Sequence, residues 1–243
     1  MSHCAEPETI WGVGPWTGNN DWRTYADQFA TTAGEIAAHY RRYGDRVAYQ
    51  IWNEGDKQNN PASVYVAPED YAEVLARGAA AIRNAAPQSP IIFNGMATGP
   101  QETVVYVKRC REALGGNLPV DAIGVHPYTR WARRAPFDWG QRYGTLGDAI
   151  ATYERELPEM KLWITEIGVA DDNEIGPEHY PAISDYFVDV MTYMEERHTA
   201  RVPVVFWFAW SDWMRNAGIV RRDGAHKEHL YSAFRNIRNR ELS

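Results

Sequence analysis

The chain has little cysteine and no long apolar run, and each shortage excludes a class of protein. Two cysteines among 243 residues, Cys4 and Cys110, are too few for a disulfide framework or a thiolate metal site. The longest apolar run, residues 202–210, is interrupted by Pro203 and is far shorter than the roughly 20 residues of a membrane helix. We therefore expect neither a transmembrane protein nor a small disulfide-stabilised one.

An excess of basic charge is also lacking. The chain has 25 Lys and Arg against 32 Asp and Glu, a formal net charge of -7. Phosphate backbones select basic surfaces, so we expect no nucleic acid partner. Residues 1–6 lack the basic and apolar regions of a secretory signal. The sequence leaves the compartment open, including export of a longer precursor.

Motifs for cofactors and metals are missing as well. The chain has no glycine-rich nucleotide loop and no Gly-x-Ser-x-Gly nucleophile elbow. His226 and His229 are spaced three apart but have no third ligand nearby in the sequence. The acidic segment 171–174 lacks the spacing and the glycine of a calcium loop and is better interpreted as a polar loop. We expect no cofactor and no metal.

Short β-branched runs alternate along the chain with longer amphipathic segments. This alternation is typical of βα units around a parallel sheet. Six strand candidates begin near Thr9, Val47, Pro90, Asp121, Lys161 and Pro203. The intervening segments place apolar residues at helical spacing, for example over 22–40 and 71–82. The pattern predicts an α/β fold of the TIM-type (β/α) barrel class, with six of the usual eight units visible.

Two glutamates stand at the ends of predicted strands. Glu54 ends the run that begins at Val47, and Glu166 ends the run that begins at Leu162. All strands of a parallel barrel deliver their carboxyl ends to the same face, where barrel enzymes keep their chemistry. Cleavage of a glycosidic bond needs one carboxylic acid and one carboxylate. The sequence therefore predicts a site built on these two residues.

Four segments, taken in order, carry a family resemblance. They are Trp52-Asn53-Glu54, His126-Pro127-Tyr128, the segment 163–168 (Trp-Ile-Thr-Glu-Ile-Gly) and the segment 206–210 (Phe-Trp-Phe-Ala-Trp). In this order the chain resembles clan A of the retaining glycoside hydrolases, which are (β/α)8 barrels. The resemblance runs over nearly the whole chain from strand three of that barrel onward. Gly55 departs from the pattern, because many relatives have proline there.

The resemblance implies a role for each matched residue. Glu54 matches the acid/base that closes strand four, and Glu166 matches the nucleophile that closes strand seven. Asn53 is expected to bind the sugar hydroxyl next to the anomeric carbon, with His126 and Tyr128 beside the nucleophile. Trp210, placed at the end of strand eight, is expected to be the platform beneath the cleaved sugar. Trp16, which follows the first visible strand, is a further candidate for lining a glycan cleft.

The resemblance also accounts for the number of units. Residues 9–16 take the place of strand three, so the visible strands correspond to strands three to eight. No residue matches the arginine that usually supports the nucleophile near the end of strand two. We expect a single domain over 1–243, a (β/α) barrel that is incomplete at its N-terminus.

Two hypotheses about function remain open at this point. The first is a retaining glycosidase that cleaves β-linked polysaccharide or oligosaccharide through a glycosyl-Glu166 intermediate. Its two carboxyl groups should lie about 5–5.5 Å apart, against roughly 6.5–9.5 Å in an inverting enzyme. The second is a non-catalytic partial barrel that binds glycan or a partner chain without turnover. In either case a second copy of the chain or a separate N-terminal segment could complete the barrel.

Overall fold

The computed structural model describes residues 22–58, 63–128, 144–169, 176–212 and 217–241. They group into two compact units. Unit 1 contains the described residues up to Val125 together with Glu156–Lys161. Unit 2 contains those from His126 to Arg155 and from Leu162 onward. Glu54 therefore lies in unit 1 and Glu166 in unit 2.

Unit 1 alternates helices with parallel strands. Its elements are α1 (Trp22–Tyr40), a 3-10 helix (Arg41–Arg46), β1 (Tyr49–Gln50), α2 (Pro68–Ala85), β2 (Ile91–Met96), α3 (Pro100–Ala113) and β3 (Ala122–Val125). β2 pairs in parallel with both β1 and β3. All six residues of β2 are buried, as expected of a strand with a neighbour on each side and helices over the sheet.

Helix α2 shows why the local sequence folds as it does. Pro68 begins it, because a first-turn proline loses no helical hydrogen bond, and Glu69 and Asp70 face the positive end of the helix dipole. A buried stripe that includes Tyr71 and Leu75 then packs into the core of unit 1. The stripe that was read from the sequence is thus the buried face of the helix.

Unit 2 repeats the arrangement. Its elements are α4 (Leu146–Glu156), β4 (Lys161–Ile167), a 3-10 helix (Pro177–His179), α5 (Tyr180–His198), β5 (Val204–Trp207) and α6 (Glu228–Glu241). β4 and β5 are parallel, and Trp163 stands opposite Val204. None of the helices in the described ranges is long and apolar enough to cross a bilayer.

The predicted order of strands and helices is confirmed wherever the chain is described. Five predicted strands begin within two residues of an observed one, and the predicted helical stripes lie in α1 to α6. The sixth, near Thr9, lies outside the described residues. The single-domain organisation over 1–243 stays a prediction.

Two predicted strand ends differ from the structure. The strand expected to run to Glu54 has only Tyr49 and Gln50 in its regular ladder, because the backbone beyond them leaves the extended conformation. β5 ends at Trp207, so Trp210 lies beyond the strand rather than at its end.

Candidate active site

Glu54 lies in a turn of unusual backbone conformation. Trp52 has φ 76° and Glu54 has φ 51°, in the left-handed region that residues with a Cβ rarely adopt. Asn53 between them still bridges to Gly95 of β2, and the N–H of Glu54 donates to the Gly95 carbonyl at 2.8 Å. The turn therefore follows β2 although it is no longer a regular strand.

Gly55 completes this turn, and its lack of a side chain is required there. A Cβ at Gly55 would lie 2.7 Å from Cδ1 of the Trp52 indole, closer than side chains pack. Its N–H donates to Oδ1 of Asn94 at 3.4 Å, a bond that proline could not make. These two contacts explain the departure from the proline that is usual in the clan.

Asn53 is held by neighbours of the same turn. Nε2 of Gln50 donates to the Trp52 carbonyl at 3.0 Å and reaches Oδ1 of Asn53 at 3.4 Å. The Ser63 hydroxyl donates to the Asn53 carbonyl. The contact from Gln50 orients the Asn53 side-chain amide, and the bond from Ser63 holds the Asn53 backbone.

Glu166 is presented differently, by a regular strand of unit 2. It lies near the carboxyl end of β4, and its side chain is 24% exposed. The Tyr128 hydroxyl donates to its Oε2 at 2.6 Å, a short charge-assisted hydrogen bond. Nδ1 of His126 lies 3.8 Å from the same oxygen.

His126 is fixed behind this carboxylate. Its side chain is fully buried, and Nε2 lies 3.1 Å from the Thr165 hydroxyl on β4. The structure thus brings His126 and Tyr128 together with Glu166, at the positions that the resemblance implies.

The aromatic residues after β5 are placed differently from the expectation. The Phe208 ring meets the Tyr128 ring edge-on at a centroid distance of 5.9 Å. Trp210 is 57% exposed and packs near Tyr231 and Phe234 of α6. Phe208 is therefore an aromatic neighbour of Tyr128, as is the ring of His126. Trp16 lies outside the described residues.

The approach of Phe208 depends on Gly168. The Phe208 N–H donates to the Ile167 carbonyl at 2.8 Å, which holds the chain beyond β5 against β4. A Cβ at Gly168 would lie 2.1 Å from the Phe208 carbonyl oxygen, so only glycine allows this contact.

Sequence reasoning missed several residues that support the candidate site. Gln50 and Thr165 stand inside predicted strands and were not singled out, and Phe208 was overlooked in favour of Trp210. One signal was available: Gln50 and Thr165 are polar residues in otherwise apolar runs, where an unsatisfied polar side chain would be costly.

The described residues form (β/α) units, with Glu166 near the carboxyl end of β4 and Glu54 in the turn that follows β1. The model of the Cellulase family (glycosyl hydrolase family 5) matches residues 8–212. The chain belongs to this family. A comparison with curated proteins finds no significant match.

Solved structures support the same fold at low sequence identity. A family 39 glycoside hydrolase from Bacteroides cellulosilyticus WH2 is 20% identical with a TM-score of 0.59, and the match covers 84% of this chain and 43% of that one. An exo-β-1,4-mannosidase from Opitutaceae bacterium strain TAV5 is 16% identical with a TM-score of 0.62, and the match covers 90% of this chain and 40% of that one.

A third solved structure is also similar in fold. An exo-β-1,3-glucanase from Aureobasidium namibiae gives 16% identity, a TM-score of 0.53, and 77% and 66% coverage. The chain thus spans between 40% and 66% of the length of these three structures.

Proposed function

We propose that the protein is a retaining glycoside hydrolase that cleaves β-linked glycosidic bonds of a polysaccharide or oligosaccharide. The observation that carries the proposal is the short hydrogen bond from Tyr128 to Glu166 at the carboxyl end of β4. In a member of the Cellulase family, a strand-end carboxylate fixed in this way is suited to act as a nucleophile.

The first step forms a glycosyl-enzyme. Glu166 attacks the anomeric carbon, the bond from that carbon to the leaving oxygen breaks, and Glu54 gives that oxygen its proton. Because Tyr128 binds Oε2 of Glu166, we assign the attack to Oε1. Glu54 must be protonated and Glu166 ionised before this step.

The second step releases the sugar. Glu54, now a carboxylate, takes a proton from water, and the water oxygen attacks the anomeric carbon. Glu166 leaves as a carboxylate, and the sugar keeps its original anomeric configuration. Oε2 of Glu166 keeps its hydrogen bond from the Tyr128 hydroxyl at the start of the next cycle.

The neighbours of the two glutamates would bind the sugar. We assign to Asn53 the hydroxyl next to the anomeric carbon, because Gln50 orients its amide. The apolar face of the sugar would pack on Phe208 rather than on Trp210, because Phe208 contacts Tyr128 and Trp210 packs against α6. His126 would keep Thr165 and Glu166 in place.

The proposed β-linkage is supported by the names of similar proteins. The family is that of cellulases, and two similar structures are named as a β-1,4-mannosidase and a β-1,3-glucanase. The panel of test sugars should therefore contain glucose and mannose. Xylose is added because another similar structure is named as a xylanase.

The testing experiment traps the intermediate. Activated 2-deoxy-2-fluoro glycosides of the three sugars are incubated with the protein, and the intact mass is measured. We expect one adduct from at least one sugar, mapped to Glu166 by peptide sequencing. Glu166→Gln should give no adduct. The control Glu195→Gln, at an exposed position of α5, should label like the natural protein.

Two results would count against the proposal. An adduct on another residue would reassign the nucleophile. No adduct from any sugar, together with calorimetric binding of an oligosaccharide, would favour the non-catalytic glycan-binding hypothesis.

A further inference from the structure

The strained turn Trp52–Gly55, which we call the Glu54 turn, needs an explanation. Two residues with a Cβ adopt positive φ within three positions, Trp52 and Glu54. Such a conformation is unfavourable for a residue with a Cβ and persists only where the surroundings impose it. Two sets of side-chain contacts hold the backbone on either side of Glu54.

The first contact is made by Tyr71 on α2, at the entry to the turn. Tyr71 is fully buried, and its hydroxyl donates to the Ile51 carbonyl at 2.8 Å and accepts from the Asn94 N–H at 2.9 Å. Ile51 directly precedes Trp52. One buried hydroxyl therefore joins the chain that enters the turn to β2.

The same hydroxyl also acts on the partner of Glu54. Asn94 directly precedes Gly95, and the Gly95 carbonyl accepts the Glu54 N–H. Oδ1 of Asn94 accepts the N–H of Gly55. Tyr71 thus fixes both the start of the Glu54 turn and the segment of β2 to which the turn is bonded.

The second contact is made by Asp56, at the exit from the turn. Asp56 is 8% exposed, and its carboxylate accepts the N–H groups of Ala97 and Thr98 and the Thr98 hydroxyl. These donors follow β2, so Asp56 holds the far end of the turn to the loop beyond that strand. The turn is therefore tied on both sides to the same neighbouring strand.

We propose that Tyr71 and Asp56 are positioning residues for Glu54, which hold its backbone in the conformation that aims the acid at the leaving oxygen. The assignment rests on the proposed function, because the role of Glu54 as the acid/base is itself proposed. Neither residue touches the substrate. Without either tie the turn would relax toward negative φ, and the carboxyl group would move away from its productive direction.

The variants Tyr71→Phe and Asp56→Asn test this role. The first removes one hydroxyl without changing the ring, and the second removes one acceptor oxygen at nearly constant volume. The matched control is Ser89→Ala. It removes a buried hydroxyl that donates to the Gly44 carbonyl at 3.0 Å, at the amino end of β2 and away from Glu54.

The readout compares two aryl glycosides of the same sugar. The dinitrophenolate leaving group departs without much protonation, whereas the phenolate leaving group needs a proton from the acid. We expect kcat/KM of both variants to fall on the order of 10- to 100-fold with the phenyl substrate, within the range of acid catalysis, and by less than about threefold with the dinitrophenyl one. Equal losses on both substrates, or the same selective loss in Ser89→Ala, would overturn the assignment.

Failure of the proposed function is recognised separately, because the natural protein would then hydrolyse neither glycoside. In that event crystal structures of the natural protein and of Tyr71→Phe decide the inference. We expect Glu54 to lose its positive φ in the variant. A Glu54 turn that is unchanged in the absence of the Tyr71 hydroxyl would show that Tyr71 does not position it.

Discussion

The two candidate catalytic glutamates are held in place by different means. Glu54 is placed by its backbone, in a turn where the chain leaves the extended conformation and is tied to β2 by main-chain and side-chain hydrogen bonds. Glu166 is placed by its side chain, which extends from the regular strand β4 to the Tyr128 hydroxyl. The difference suits their proposed roles, because a nucleophile must stay ionised whereas an acid must be aimed.

The two glutamates should therefore be sensitive to different substitutions. A change in the packing around β1 and α2 should misdirect Glu54 without altering its chemistry. A change at Tyr128 should remove a hydrogen bond from the Glu166 side chain without moving its backbone. Substitutions can therefore separate the direction of Glu54 from the hydrogen bonding of Glu166.

The largest expected effect is the loss of activity when either candidate glutamate is replaced by alanine. Glu166→Ala should reduce kcat on the order of 10⁴- to 10⁶-fold with every aryl glycoside, because no covalent intermediate can form. Glu54→Ala should lose roughly 10²- to 10⁴-fold with a phenyl glycoside and far less in the first step with a dinitrophenyl one. Steady-state and burst kinetics measure both.

Added azide sharpens this division. It should attack the intermediate of Glu54→Ala and give a glycosyl azide of retained configuration, while Glu166→Ala should give only the inverted product. The same response to the leaving group in both variants would contradict the separate roles.

The second effect concerns stability and contrasts an ion pair of each unit. Nζ of Lys227 lies 2.6 Å from Oδ1 of Asp212 in unit 2, with both side chains nearly buried. Lys227→Met would leave a buried charge unpaired and should lower the free energy of unfolding by about 3–5 kcal/mol. Arg77→Met on α2 removes pairs with the largely exposed Asp27 and with Glu73, and it should cost much less because solvent screens these charges. Urea denaturation compares them, and equal losses would contradict the burial argument.

The third effect concerns the hydrogen bond that the Tyr128 hydroxyl donates to Glu166. A hydrogen bond to a charged group contributes about 1.5–3 kcal/mol, so Tyr128→Phe should reduce kcat/KM by roughly 10- to 100-fold. The loss should be similar for phenyl and dinitrophenyl glycosides, in contrast to Tyr71→Phe. Tyr193→Phe is the control, because its hydroxyl contacts His198 and not the candidate site. A larger loss with the phenyl glycoside than with the dinitrophenyl one in Tyr128→Phe would contradict this contrast with Tyr71→Phe.

The smallest effect is a pH dependence. Burial lowers the pKa of Lys227 below its ordinary value of 10.5, although the hydrogen bond and charge of Asp212 oppose this shift. The unfolded chain therefore binds this proton more tightly than the folded one, and raising the pH through the folded pKa toward 10.5 removes a penalty on folding. The free energy of unfolding of the natural protein, relative to Lys227→Met, should rise in that window. A fall there would show that the pKa of Lys227 is raised.

Much of the fold was predictable because hydrophobic periodicity reports burial directly. The strand starts near Val47 and Lys161 and the stripe that begins at Tyr71 all follow from the spacing of apolar residues. The candidate glutamates followed from strand ends and from motif order. These features depend only on local sequence, so no knowledge of distant neighbours was needed.

The structure differs from the sequence-based expectations where residues that are distant in sequence decide the local conformation. The regular strand expected up to Glu54 is broken by contacts from α2 and β2, none of which is local in the sequence. The surroundings of Trp210 and Phe208 also depend on distant residues, because Trp210 packs near α6 and Gly168 allows the close approach of Phe208.

The sequence by itself determined the alternation of strands and helices, the motifs that resemble clan A and the choice of the two candidate glutamates, because each is written in residues that are close along the chain. The tertiary structure alone decided how those glutamates are held. The Tyr71 hydroxyl looks in the sequence like one more member of an apolar stripe, and only folding places it between Ile51 and Asn94. A buried polar atom must find a partner, and that partner is chosen by packing between segments far apart in sequence.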